Sequence, residues 1–187
     1  MAQESLKAAL MRRIVSATVL VATLVLVTSS HLALAANPDF DHLQRCSSSK
    51  VKALKFFTVG KASLFRQDCA ATDPLAPPLR LAFGYNREVP GDAFAKSARA
   101  MIKRNLNDAD WHALKARIDA FNQHYRSTRD GDLYTLDYHQ DQSLVLKLNG
   151  ETLAEEQGKA FARAYFTIWF GDDPYSEDLK QALLPDS

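Results

Sequence analysis

The chain has 187 residues, of which 24% are charged, and its 23 basic and 22 acidic residues give a formal net charge of +1 at pH 7. This length is enough for one domain with a sizeable core. Because the charges balance, the composition excludes a strongly basic protein, and we expect no binding to nucleic acid or to an anionic membrane surface.

Residues 1–35 have the layout of a secretory signal peptide. Three basic residues precede an uncharged, mainly apolar run over 14–27, and small residues at 33–35 offer a cleavage site. The run is short for a membrane-spanning helix, which needs about 20 apolar residues, and an uncleaved N-terminal anchor is the alternative. We therefore predict a periplasmic or secreted protein whose single domain covers residues 36–187, with no stable membrane span after cleavage.

The first part of this domain is predicted to hold two strands. Residues 51–65 are rich in apolar and aromatic side chains and indicate one strand, in which Gly60 marks a bend or a bulge. The serines at 47–49 are predicted to form a turn before it. After a proline-rich loop, residues 79–85 alternate apolar side chains with small or polar ones, which is the period of a half-buried strand.

Two helices are predicted next, because apolar residues recur at intervals of three and four positions. The first begins after Pro90, with Asp92 as its N-cap, and runs to about Asn105. The second is capped by Asn107 or Asp108. Charged side chains lie largely away from the apolar face of the first helix, as expected for a helix that packs on a core.

The stretch from Gly131 to Gly171 is predicted to form the centre of the fold. In 134–138, aromatic and apolar residues alternate with polar ones, and in 144–148 leucines alternate with Val145 and Lys147. With a short polar loop between the two runs, this pattern predicts a hairpin. Asn149-Gly150 suits a tight turn because both residues tolerate a positive φ. The run 151–154 can therefore return as a third strand.

The period then changes to that of a helix. Apolar residues extend around most of its circumference, which predicts a buried helix ended by Gly171. Four of them define one face: Phe161, Tyr165, Ile168 and Trp169. A last short helix through Leu184 has Ser176 as its cap. This order of elements predicts an α+β domain, with a largely antiparallel sheet backed by helices.

Cys46 and Cys69 are the two cysteines of the chain. Export would permit a disulfide between them, and the predicted strand leaves two geometries open. If residues 51–66 form one straight strand, at about 3.3 Å per residue, its ends lie too far apart to bridge. If the strand folds back near residues 58–60, the two cysteines face each other. The alternative to a disulfide is a pair of free, buried thiols.

No motif typical of a metal or cofactor site is present. The histidines lack the spacing of paired metal ligands, and the sequence has no phosphate-binding loop, dinucleotide-binding glycine motif or nucleophile elbow. We therefore predict no metal and no cofactor. An apolar sheet face under a buried aromatic helix is a place where a small apolar ligand can lodge, and the same pattern fits a filled core.

Four segments resemble the bacterial exported chalcone isomerase-like proteins, and the likeness extends over about 43–184. The most specific is LKLNGETLAEEQGKAFARAYFTIWFGDDPYSEDLKQALL, with its strand, N-G turn, short strand and G-x-x-F-A-R-A-x-x-x-I-W-x-G helix. The others are VKALKFFTVGKASLF, RLAFGYNREVPGDAFAKSARAMIKRN and GDLYTLDY. The resemblance implies an open-faced β-sandwich, with a cleft between a large antiparallel sheet and the helices that cover it.

The resemblance also implies positions for site residues. Plant chalcone isomerases line the cleft with an arginine, a threonine, a tyrosine and an asparagine, which bind the substrate and polarise its carbonyl. Non-catalytic relatives bind fatty acids with the arginine and the tyrosine. In this sequence the four positions fall near Arg45 and Thr58 and on Phe94 and Met101. Phe94 and Met101 supply no hydrogen bond, so no catalytic residue is assigned.

These observations favour an exported, non-catalytic protein that binds a small apolar or fatty-acyl ligand in the cleft. Arg45, Thr58, Phe94 and Met101 are then the candidate ligand-binding residues. Two alternatives remain open at this point. One is an intramolecular lyase or isomerase that acts on a chalcone-like or other small substrate. The other is an envelope protein-interaction module, whose surface would carry an exposed apolar patch.

Overall fold

The computed structural model describes Phe40, residues 42–53 and residues 57–184. These residues form one antiparallel sheet of six strands, and each strand pairs with the next one along the chain. The strands are β1 Gln44–Ala53, β2 Phe57–Arg66, β3 Leu79–Tyr85, β4 Leu133–Tyr138, β5 Ser143–Leu148 and β6 Glu151–Gln157. The proposed signal peptide, residues 1–35, lies outside the described residues.

Four helices accompany the sheet in the described part of the chain. They are α1 Gly91–Asn105, α2 Asp108–Asn122, α3 Lys159–Phe170 and α4 Glu177–Leu183. Helix α1 packs against α3, α2 packs against α1 and β6, and α4 packs against β1. Within the described residues, no helix has both the length and the apolar character that crossing a membrane requires.

A row of leucines across four strands forms the middle of the core. Leu64, Leu81, Leu136 and Leu146 are successive cross-strand partners, and each is at most 2% exposed. The two-residue period of a strand places all four on the face that the helices cover. Burying each leucine contributes roughly 1.5–3 kcal/mol, so this row fixes the register of the central strands.

The predicted single strand over 51–65 is wrong, because the structure has a hairpin of β1 and β2 that reverses after Ala53. The predicted serine turn is part of β1. Ser47 belongs in a strand because its hydroxyl donates a 2.6 Å hydrogen bond to the carbonyl oxygen of Leu183, which joins β1 to α4. Gly60 does lie at a register shift, and a Cβ there would stand 2.1 Å from the carbonyl oxygen of Gly84.

The structure joins Cys46 and Cys69 by a disulfide, with their Cα atoms 5.3 Å apart. The bridge connects the start of β1 to the loop that follows β2. Because β1 and β2 run antiparallel, the start of β1 lies beside the end of β2, with Arg45 opposite Phe65. This is the fold-back geometry, although the chain reverses beyond Ala53 and not at residues 58–60.

The strands β4 and β5, the hairpin loop and the third strand β6 agree with the sequence predictions. Asn149 and Gly150 have φ of 52° and 85°, the left-handed conformation that the tight turn requires. The predicted caps Asn107 and Ser176 are also confirmed, since their side chains accept hydrogen bonds from the nitrogens of Asp110 and Leu179.

The predicted N-cap Asp92 is wrong. Helix α1 begins at Gly91, and the N-cap position is occupied by Pro90, whose side chain makes no capping hydrogen bond. The hydroxyl of Ser127 instead accepts a 3.1 Å hydrogen bond from the Gly91 nitrogen. A residue distant in sequence thus accepts the hydrogen bond of a free backbone nitrogen at the start of α1. Local capping patterns do not reveal such a contact.

Helix α3 ends at Gly171 as predicted, and the close approach of Asn105 explains why this position is a glycine. Gly171 has φ of −74°, which any residue adopts. A Cβ at this position would lie 2.3 Å from the side-chain oxygen of Asn105. The same Asn105 oxygen accepts a 2.8 Å hydrogen bond from the Asp173 nitrogen, so α1 and the end of α3 are held in contact.

Candidate ligand-binding cavity

A partly open cavity of about 170 Å³ lies between the first three strands and helices α1 and α3. Its walls are mainly apolar, and its position is that of the cleft between sheet and helices. The lining residues are Val51, Val59, Phe83, Tyr85, Val89, Ala93, Phe94, Ser97, Ala98, Tyr125, Ile168, Trp169 and Tyr175.

The local structure of β3 and α1 explains why this space exists. Alternation along β3 places Phe83 and Tyr85 on the helix-covered face. Facing them, α1 presents Phe94 and Ala98, one helical turn apart, and Ala93 also lines the cavity. Small side chains at positions 93 and 98 leave a gap that large neighbours on the sheet do not fill.

An aromatic cluster forms one end of the cavity. The ring of Phe94 stacks on Tyr125 with centroids 5.5 Å apart, and meets Tyr85 and Tyr134 edge-on at 5.3 Å and 5.5 Å. At the other side, Phe83 packs against Trp169 at 5.1 Å. Such contacts between aromatic rings add about 0.5–1.5 kcal/mol per pair beyond area burial, so they stabilise the cavity walls.

Three tyrosines line the cavity, and two of their hydroxyls are engaged by the protein. The Tyr125 hydroxyl lies 3.0 Å from that of Tyr165, which also donates to the side-chain oxygen of Asn122 at 2.7 Å. The Tyr175 hydroxyl donates to the carbonyl oxygen of Lys52 at 3.0 Å. The Tyr85 hydroxyl makes no hydrogen bond to any residue that the structure describes.

Burial keeps these phenols protonated. Loss of hydration is the largest cause that raises the pKa of Tyr85, and the nearby phenols Tyr125, Tyr134 and Tyr175 raise it further. Burial likewise raises the pKa of Tyr125, although its hydrogen bond with Tyr165 acts in the opposite direction. The cavity therefore presents neutral hydroxyl groups throughout the physiological pH range.

Tyr175 lies where the cavity adjoins a second, polar groove. This groove has a volume of about 810 Å³, and Tyr175 and Lys52 both line it. Tyr175 is 38% exposed, and Ser97 at the cavity edge is also exposed. The mouth of the cavity therefore lies beside Tyr175 and Ser97.

Of the four residues assigned by resemblance, the structure places only Phe94 on the cavity wall. Met101 is two turns further along α1 and packs, partly buried, against the core. Thr58 is half-buried beside Val59 and pairs with Lys52, while Arg45 is exposed and pairs with Phe65. Arg45 lies seven residues from Lys52 along β1, roughly 20 Å, so Arg45 and Thr58 are not brought together.

The sequence reasoning assigned no site role to Tyr85, Tyr125, Trp169 or Tyr175. A signal was present for Tyr85, since it ends an alternating strand with a polar group on the buried face. Tyr175 follows the helix end and carries no pattern that points to a cavity. Within the described residues, no cluster of histidine, cysteine, aspartate or glutamate is arranged to hold a metal ion.

Comparison with known proteins places this geometry in a family. A model of the chalcone isomerase-like family matches residues 51–185. A comparison with curated proteins gave no significant match. Among solved structures, the fold is similar to that of a fatty-acid binding protein from Arabidopsis thaliana, with a TM-score of 0.50 and 12% identity over 77% of this chain and 87% of that chain.

At this identity the structural likeness shows the fold alone. It agrees with the predicted α+β class, an open antiparallel sheet with helices packed against it. The family model covers well over half of the sequence, including every described helix and strand from β2 to α4. The chain therefore belongs to the chalcone isomerase-like family.

Proposed function

We propose that this protein binds a small apolar or fatty-acyl ligand, without catalysis, in the cavity between β1–β3 and helices α1 and α3. The observation that carries the proposal is the apolar, aromatic-lined space of about 170 Å³. Engineered apolar cavities of about 150 Å³ bind benzene. The cavity therefore fits one ring or a chain of about six carbons, and a longer ligand extends through the mouth beside Tyr175.

The same geometry supports binding over chemistry. An isomerase that polarises a carbonyl needs several donors oriented on one developing charge, and losing one donor costs on the order of 100-fold in rate. Phe94 and Met101 carry no such donor. Arg45 and Thr58 do not line the cavity. The residues implied by resemblance to the enzymes therefore lend no support to an isomerase reaction in this cavity.

We also propose that the protein works outside the cytoplasm, in a periplasmic or secreted location. The Cys46–Cys69 disulfide is typical of an oxidising compartment, and residues 1–35 have the pattern of a signal peptide. Intact-mass measurement on protein from its own host should give a chain that begins at Ala36. A mass that retains residues 1–35 would favour an uncleaved anchor.

The test of ligand binding is native mass spectrometry of the protein purified from its own host, followed by organic extraction. A reproducible co-purifying apolar compound is the expected result. Binding in solution can be followed by fluorescence of Trp169, which lines the cavity, in a Trp111→Phe background that removes the other tryptophan. If no apolar compound co-purifies and none changes the Trp169 signal, the proposal is wrong.

A further inference from the structure

The hydroxyls around the cavity are not equivalent. Tyr125 and Tyr175 already hydrogen-bond to Tyr165 and to the backbone of Lys52. Tyr85 lines the same cavity, yet within the described part of the chain its hydroxyl has no partner. The protein therefore leaves one phenol of the cavity available to a ligand.

The position of the Tyr85 side chain is fixed from several sides. Its ring meets Phe94 edge-on at 5.3 Å and Tyr134 at 6.2 Å. Its backbone nitrogen donates a 2.8 Å hydrogen bond to the carbonyl oxygen of Asp132, and its own carbonyl oxygen accepts one from Gly131 at 2.9 Å. A side chain held in this way donates a hydrogen bond at little further cost in conformational entropy.

Tyr85 is half-buried and lines a partly open cavity, so water can accept its hydrogen bond while the cavity holds no ligand. A ligand that displaces this water without offering an acceptor leaves the hydroxyl unpaired, at a cost of about 1–3 kcal/mol. Burial raises the pKa of Tyr85, so the phenol keeps its proton and acts as a donor. The group that complements it is an oxygen or nitrogen acceptor on the ligand.

The charge of that acceptor is restricted by the other walls. Among the described residues that line the cavity, none is a lysine, an arginine or a histidine. A carboxylate bound there would lose its hydration without gaining a cation, which strongly disfavours the ionised form. A neutral carbonyl accepts one hydrogen bond and has no such penalty.

On the basis of the proposed function, we infer that the ligand is an uncharged apolar compound with a carbonyl-type acceptor, and that Tyr85 donates the hydrogen bond that orients it. Ketones, esters and aldehydes belong to this class, whereas a carboxylate anion placed beside Tyr85 does not. Tyr85 is then the residue that determines specificity within a mainly apolar site.

The experiment uses three six-carbon probes, hexane, hexan-2-one and hexanoate, titrated at pH 7 against the mature protein and observed by amide NMR shifts. We expect hexan-2-one to bind more tightly than hexane, and hexanoate to bind at least about tenfold more weakly than hexan-2-one. In Tyr85→Phe, hexan-2-one should lose about two- to tenfold in affinity. Hexane, which cannot accept a hydrogen bond, should bind Tyr85→Phe no more weakly than it binds the parent, which also shows that the cavity remains folded.

A matched control is Tyr138→Phe, because Tyr138 lies on the same sheet face but its hydroxyl bonds to Gln142 away from the cavity. This variant should bind all three probes as the parent does. If Tyr85→Phe leaves hexan-2-one affinity unchanged, or if hexanoate matches hexan-2-one, the inference is overturned while ligand binding stands. If none of the probes binds, including hexane, the proposed function itself fails.

Discussion

The hydroxyl of Tyr175 donates a 3.0 Å hydrogen bond to the carbonyl oxygen of Lys52, across 123 residues of sequence. This bond joins the segment after α3 to the outer end of β1. It lies where the apolar cavity meets the polar groove, since Tyr175 lines both. The bond therefore holds the side chain that stands at the mouth.

Removing this bond should speed ligand exchange. In Tyr175→Phe the ring is kept but its anchor to Lys52 is lost, so we expect faster association and dissociation of hexan-2-one, with dissociation raised by about two- to tenfold. NMR line shapes or stopped-flow fluorescence of Trp169 would measure both rates. Unchanged rates would show that ligands do not pass Tyr175.

Filling the cavity should abolish binding without unfolding the protein. Ala98 lines the cavity and is 4% exposed, so Ala98→Leu places new methyl groups where a ligand would lie. We expect at least about a tenfold loss of hexane affinity and a stability change below about 1.5 kcal/mol, since the space is already present. The matched control is Ala100→Leu, at an exposed position of the same helix, which should bind hexane normally.

Removal of the disulfide should lower stability but spare the cavity. The bridge closes a loop with a sequence separation of 23, for which chain-entropy arguments give about 3 kcal/mol. The double variant Cys46→Ser/Cys69→Ser should therefore unfold at lower urea concentration, by about this free energy. Under conditions where it is folded, the double variant should still bind hexane, because neither cysteine lines the cavity. Equal urea midpoints for parent and variant would contradict this expectation.

Stability should fall as the pH rises above about 10, the ordinary pKa of tyrosine. Burial raises the pKa of Tyr85, Tyr125 and Tyr165 in the folded protein. Above pH 10 the unfolded chain therefore releases phenolic protons that the folded chain retains, and unfolding becomes more favourable. Each such group contributes up to about 1.4 kcal/mol per pH unit.

Urea unfolding between pH 9 and 11 tests this dependence. The free energy of unfolding should decrease less steeply with pH in Tyr85→Phe than in the parent, because the folded variant retains one phenolic proton fewer. Ultraviolet absorbance of the folded protein should show tyrosinate appearing only above the ordinary range. Parallel stability curves for parent and variant would mean that the Tyr85 phenol ionises as freely in the folded state as in the unfolded chain.

The central strands and the buried helix were predictable because their apolar periods are clear. Leu136 lies between Thr135 and Asp137 in a clear two-residue alternation, and Asn149-Gly150 has the residue types that a tight turn requires. Strand β1 was missed because its middle is serine-rich. It is held by backbone pairing to β2 and by the contact of Ser47 with α4, neither of which leaves an apolar period.

The site was less predictable for two physical reasons. Register shifts at Cys46 and Val59 change which side chains share a face, so the side of the sheet on which Arg45 and Thr58 lie could not be read from simple alternation. The empty space itself depends on small residues of α1 standing opposite aromatic residues of β3. Such complementarity between distant segments cannot be read from the period of either one.

The cavity is completed by the last part of the chain. Its walls include Val51 near one end of the domain and Ile168, Trp169 and Tyr175 near the other. The binding site therefore cannot exist until α3 has docked, and any occupant favours that docking. A ligand present at a hundred times its Kd would add about 2.7 kcal/mol to the stability of the finished fold. Occupancy would thus report that the polypeptide has folded through α3 and the segment that carries Tyr175.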